Sequence, residues 1–259
     1  MKLLLPALLL PALSFANSPF AGTWIIQPEL TKFSLRPLSM TLDDHLYRRT
    51  SCLSPLEVPA DGTEHTVDAA SDLDAMSVHV VDSRRMEISR KLAGKLTWKG
   101  LYTVSADQHS MTLEFVDDSA PRTVTGALLY TRESSVMPGL HPVSGTWRPE
   151  KITKLSASSL TMTFRDTTNG LAMDASDGRS YDAKFDRQYY PLRGDVAQTL
   201  VSVGHINPTT IQINRKRDAI LVEVSRATVS DDGRTMMLVD LDRQCEAATT
   251  FTLQKQPAS

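Results

Sequence analysis

Residues Tyr102 to Asp118 read YTVSADQHSMTLEFVDD, and residues Ala227 to Arg243 read ATVSDDGRTMMLVDLDR. Subtracting 125 from each number lays the second stretch on the first without a gap, and the match extends further: between Asp61 and Asp117 there are 14 identities in 57 positions. Among them are Arg90/Arg215, Lys91/Lys216, Val104/Val229, Ser105/Ser230, Asp107/Asp232 and Met111/Met236. Upstream, Gly-Thr-Trp occurs twice, as Gly22-Thr23-Trp24 and Gly145-Thr146-Trp147, with an offset of 123. The chain is a duplication of a unit of about 115 residues. Pro and Gly in SVMPGLHPVS mark the join. This divides the chain into a first unit, 17–135, a linker, 136–143, and a second unit, 144–259.

Within each unit the apolar period is two. Met86, Ile88 and Arg90 alternate with Arg85, Glu87 and Ser89, and Met111, Leu113 and Phe115 alternate with Thr112, Glu114 and Val116. Alternation of this kind puts successive side chains on opposite faces of a strand. Turn signals such as SADQHS, SDDGRT, DTTNG and SDGRS separate the short strands, and no segment keeps a helical period. The expected fold is all-β: two tandem antiparallel up-and-down barrels of about eight to ten short strands each. One detail disagrees with a perfect repeat. Leu96, Trp98, Tyr102 and Val104 share a parity that Ile220, Val222 and Val224 do not keep, which predicts a bulge or register difference near Ser225–Ala227.

The segment MKLLLPALLLPALSFA has one Lys, a short apolar run and small residues at Ser14 and Ala16, the pattern of a secretory signal over residues 1–16. No later apolar run approaches the roughly 18 residues that a spanning helix needs. An exported chain, periplasmic or extracellular, is expected. An outer-membrane barrel would need one barrel of longer strands with an outward apolar band, a poor match to two short units. The formal net charge is −2, from 28 basic and 30 acidic residues interspersed along the chain. No basic face offers itself to nucleic acid. Cys52 and Cys245 enter an oxidising compartment, where a disulfide between them is permitted.

A Gly-x-Trp at the start of the first strand, followed by antiparallel strands and a basic residue on the last, resembles the lipocalin and fatty-acid-binding (calycin) barrels. The resemblance implies that a Trp closes one end of each barrel under a basic side chain. The last strands here read GALLYTRE and TFTLQKQ, and Trp24 to Arg132 spans the same 108 residues as Trp147 to Lys255. These spacings predict two cation–π closures, Trp24 with Arg132 and Trp147 with Lys255. The resemblance also implies an interior that can hold a small apolar ligand.

Chemistry is sparsely marked. His45, His65, His79, His109, His141 and His205 are scattered without metal-ligand spacing, and no cofactor motif or nucleophile signature occurs. Neither a metal nor a cofactor is expected. Asp43-Asp44, Asp117-Asp118 and Asp231-Asp232 pair only in sequence, because neighbouring strand residues face opposite ways. The shared Arg90-Lys91 and Arg215-Lys216 read as strand-end architecture. The copies differ more tellingly at Trp98 and Tyr102, which are matched by Glu223 and Ala227. These two aromatics are the candidate ligand-lining residues. The expected function is non-enzymatic binding of a small apolar or amphipathic molecule. The alternative is an envelope-structural or protein-interaction module whose barrels are filled by their own side chains.

Overall fold

The computed structural model describes residues 18–257, apart from residues 35, 44, 54, 71 and 72 and the side chains of residues 68–70. The expected signal segment lies outside the described residues. The chain is all-β and forms two antiparallel sheets, each curled into a nearly closed barrel of ten strands. In the first, the spatial order starts at Leu56–Pro59 and passes through Leu46–Arg49 and Leu38–Asp43 to Gly145–Leu155. It then runs back through Val124–Arg132, Ser110–Asp117, Lys95–Val104, Arg85–Leu92 and Leu73–Asp82 to Asp61–Ala70. The second starts at Ser180–Lys184 and passes through Gly170–Ala175, Thr161–Thr167 and Gly22–Ile26 to Ala247–Lys255. It then runs through Thr235–Asp242, Ile220–Val229, Thr210–Arg217 and Leu200–Asn207 to Tyr190–Pro191, and Lys32–Ser34 adds alongside Ala247–Lys255.

The two Gly-Thr-Trp strands are exchanged between the barrels. Gly22–Ile26 inserts into the second barrel, with Trp24 opposite Met162 on one side and Lys255 on the other. Gly145–Leu155 inserts into the first, with Trp147 opposite Leu38 and Arg132. Loop closure explains the choice. Gly145–Leu155 follows Val124–Arg132 after a short connection and pairs with it directly, and short connections between neighbours are the least costly in chain entropy. That pairing fills the slot in the first barrel and leaves the N-terminal strand to complete the second.

The closures therefore differ from the pairs that equal spacing predicts. Arg132 lies over Trp147, 4.0 Å from the ring centroid, and Lys255 lies over Trp24 at 5.1 Å. Both indoles are fully buried, and each N–H donates to the carbonyl four residues earlier: Trp24 to Phe20 at 2.7 Å and Trp147 to Val143 at 2.8 Å. The arginine fork donates to the carbonyls of Gln108, Ser144 and Pro142, whereas the lysine donates to that of Pro19 alone. This difference follows the donor inventories of the two side chains. The motif glycine has a steric cause. At Gly145 (φ 146°) a Cβ would stand 2.3 Å from Arg132 Nη1, and at Gly22 (φ 128°) 2.6 Å from Lys255 Cε.

The predicted irregularity also takes a different form. The ladder shifts between Arg90 and Lys91 where they face Trp98 and Leu96, and between Arg215 and Lys216 where they face Glu223 and Leu221. One extra residue, Thr97 or Val222, bulges at the same place in each copy, and both point inward and are buried. The copies thus share one register, and no break occurs at Ser225–Ala227. The repeated hairpin turn is equally conserved in geometry. Ser105 Oγ donates to Asp107 at 2.5 Å and Ser230 Oγ to Asp232 at 2.6 Å, with Gln108 (φ 59°) and Gly233 (φ 68°) at the matching left-handed position.

Each barrel has its own core. Tyr47, Met76, Met86, Tyr102, Met111 and Trp147 fill the first, and Trp24, Leu171, Tyr181, Ile211, Met236 and Leu253 pack in the second. A disulfide joins Cys52 in the first barrel to Cys245 in the second across 193 residues. In the chain-entropy view such a bridge stabilises by up to about 5 kcal/mol. Beside it Leu53 N donates to the Gln244 carbonyl at 2.8 Å. Elsewhere the loop after Ser110–Asp117 reaches across. Pro121 seats on Gly178 and Gly194, where a Cβ would come within 2.9 and 2.8 Å of it, and Arg122 Nη1 donates to the Ser176 carbonyl at 2.9 Å.

Candidate functional site

The repeat places four positions at corresponding ends of the two barrel interiors, and their chemistry diverges. In the first barrel they are Arg90, Trp98, Gly100 and Phe115, with Arg90 opposite Trp98 and Gly100 opposite Phe115. The Arg90 guanidinium stacks on the Trp98 ring at 4.4 Å. The indole lies over Gly100 so closely that a Cβ there would stand 2.2 Å from it. Trp98 and Phe115 pack onto the core and stop that end with apolar mass.

In the second barrel the same positions are Arg215, Glu223, Ser225 and Asp240, with Arg215 opposite Glu223 and Ser225 opposite Asp240. Arg215 Nη1 donates to Glu223 Oε1 and, at 2.7 Å, to Ser225 Oγ, which itself donates to Glu223 at 2.9 Å. The glutamate raises the Arg215 pKa against the desolvation that would lower it. Asp240 is left over: its Oδ1 is closed off from solvent and has no hydrogen-bond partner, as does the hydroxyl of the buried Tyr181. Burial, with Glu223 as a second cause, pushes the Asp240 carboxyl up to about 6. Such a group is expected where a ligand, rather than the protein, completes the hydrogen bonds.

A cavity of about 220 Å³ opens at this end, with Met162, Met173, Leu192 and Leu238 as its apolar wall and Arg215, Glu223 and Asp240 at its polar end. Arg179, Asp195 and Arg217 form a rim shared with a second cavity of about 200 Å³ between the barrels, lined by Trp98, Leu92, Val196 and Ala197. The rim is held firmly. Arg179 donates to Asp177 at 3.0 Å and to Ser119 Oγ of the other barrel at 2.6 Å, and Arg217 donates to Thr199 at 2.8 Å. Polar groups thus adjoin an apolar trough, and both barrels contribute.

Trp98 faces this cleft, whereas Tyr102 is buried in the first core beside Tyr47 and Tyr130, its phenol pKa raised by burial. Trp24, Trp147, Arg132 and Lys255 lie at the closures described above, away from the cleft. His205 packs on Phe185 at 4.2 Å, and His65 bonds Asp61 at 3.0 Å. Among the described residues no group of three His, Cys, Asp or Glu side chains converges to hold a metal ion. Nor, among them, is any helix long and apolar enough to cross a membrane. Asp240 escapes sequence reasoning because it reads as one more alternating strand residue. Its signal is the contrast with Phe115, which matters only once Glu223 and Arg215 are known to adjoin it.

The class of molecule defined here is a double antiparallel barrel with exchanged Trp strands and a cleft between the units. No protein-family model matches the chain, and no curated protein matches it.

Proposed function

We propose that the protein is an exported, non-enzymatic binding protein for a small amphipathic molecule, held in the cleft at the open end of the second barrel. The observation that carries this reading is the pairing of an unpartnered buried carboxylate oxygen, Asp240 Oδ1, with an adjoining apolar trough. Ligand sites combine a mostly apolar wall with a few convergent polar groups in this way, although the two cavities are small and favour a small ligand. The calycin resemblance of the Gly-x-Trp closures and the signal-like N-terminus support the same class and its export, and the disulfide suits an oxidising compartment. The first barrel supports a different use. Its interior is filled by its own aromatic and methionine side chains, so it serves as a rigid wall of the cleft.

Native mass spectrometry of the mature protein, exported by its own signal and purified without denaturant, tests the reading. Extra mass that disappears on unfolding is the expected result. A bare mass, together with no response of Trp98 fluorescence to small amphipaths, favours an interaction module that acts through its outer surfaces.

A further inference from the structure

Resting on the binding reading above, we infer that the second barrel's cavity selects a ligand with a positively charged ammonium head, which Asp240 receives. The cavity is lined by three cations, Arg179, Arg215 and Arg217, and by four carboxylates, Asp177, Asp195, Glu223 and Asp240. Each cation has partners on the protein. Arg215 is held by Glu223 and Ser225, Arg179 by Asp177, Ser119 and Asp195, and Arg217 donates to Thr199. Two members of the set have an atom without a hydrogen bond: Arg179 Nε, which the Asp195 carboxylate faces at 3.4 Å, and Asp240 Oδ1, the carboxylate oxygen left for a ligand's donor.

An anionic head would meet arginines already engaged and would face Asp240 at close range, an unpaired like-charge contact in a poorly solvated site. A neutral hydroxyl head would donate one hydrogen bond but leave the cavity's excess of one carboxylate over its three arginines unneutralised. An ammonium supplies up to three donors and one positive charge, which satisfies Asp240. The apolar part of the molecule then lies on Met162, Met173, Leu192 and Leu238. The first barrel shows the contrast: with Phe115 and Trp98 at the equivalent positions, no carboxylate awaits a partner.

The test is calorimetric titration of the intact, disulfide-bonded protein at pH 7.5 with n-hexylammonium, 1-hexanol and n-hexanoate, three probes of one chain length and different heads. The expected result is that hexylammonium binds at least tenfold more tightly than hexanol, with hexanoate weaker still. In Asp240→Asn the preference for the ammonium over the alcohol should fall to less than threefold, and thermal unfolding of the variant checks that it is folded. Asp240→Glu serves as a second variant and, because it keeps the carboxylate, should keep the preference for the ammonium. Hexanoate or hexanol binding as tightly as hexylammonium overturns the charge assignment and leaves the binding reading standing. Failure of all three probes to bind overturns both. Ammonium selectivity undiminished in Asp240→Asn overturns the role of Asp240.

Discussion

Asp240 is tolerated in a barrel interior because the Arg215 charge and a Ser225 hydrogen bond offset part of the cost of its burial, and its titration should be visible in the stability of the whole protein. Its folded pKa, about 6, lies above the 3.8 of an ordinary aspartate. The unfolded chain therefore releases the proton first, and stability falls as pH rises from about 4 to about 6, then stays at the lower level. The groups that face it are Arg215, Glu223 and the Ser225 hydroxyl, with Arg179, Arg217, Asp177 and Asp195 around the cavity. Asp240→Asn removes this dependence. Relative to the native protein the variant should gain roughly 5 °C in Tm above pH 7, and the gain should vanish near pH 3, as followed by thermal melts across that range. A gain independent of pH would mean that folding does not raise the Asp240 pKa. The acids of the repeated turns, Asp107 and Asp232, titrate in the opposite direction because their Ser and backbone partners stabilise the charged form, but they are exposed and common to both proteins. At this scale much was legible: Ser105-x-Asp107 and Ser230-x-Asp232 announce their turn by composition. The Arg215–Glu223–Asp240 cluster was not, because its members are adjacent only across strands.

At the scale of elements, the exchange of Gly22–Ile26 and Gly145–Leu155 makes each Trp a structural residue of the barrel encoded by the other repeat. Replacing Trp24 with Ala should cost about 3–5 kcal/mol, as for a fully buried aromatic, and the loosening should appear in the second barrel. Amide hydrogen exchange should then speed up in Thr161–Thr167 and Ala247–Lys255, which pair with the Trp24 strand, and spare Val124–Arg132. Trp147→Ala should give the reverse pattern, with Leu38–Asp43 and Val124–Arg132 exposed. Faster exchange near Arg132 in Trp24→Ala would disprove the crossed pairing. The motif and its basic partners were evident in the chain, and so was the glycine beneath them. The partner assignment was not, since either choice puts the same residue types on the same faces, and only loop closure distinguishes them.

For the whole molecule, the unit of folding is set by sheet membership rather than by the repeat. The first barrel takes all its strands from Leu38 to Leu155, whereas the second needs the N-terminal strand as well as Thr161 to Lys255. A fragment of residues 36–160 carrying Cys52→Ser should therefore unfold in one cooperative transition with native-like near-ultraviolet dichroism. Residues 156–257 alone should lack it until a peptide of residues 18–34 is added. Independent folding of 156–257 without the peptide would show that the second barrel does not depend on the Trp24 strand. The exchange, the disulfide and the Pro121 contact tie the barrels at three separate places, which suits a cleft whose walls come from both.

Duplication, strand period, turn chemistry, the two Trp closures and the pair of cysteines are all local or counting properties, and the amino-acid order was enough to establish them or to expect them. Which Trp strand enters which barrel, where the bulge falls and which charged side chains meet depended on the folded chain. Strand pairing joins residues far apart in sequence, and a period of two is satisfied equally well by several pairings. The competition between them is settled by connection length and by the filling of each slot. From that outcome come the neighbours of Asp240, and with them a polar opening into the interior of the second barrel.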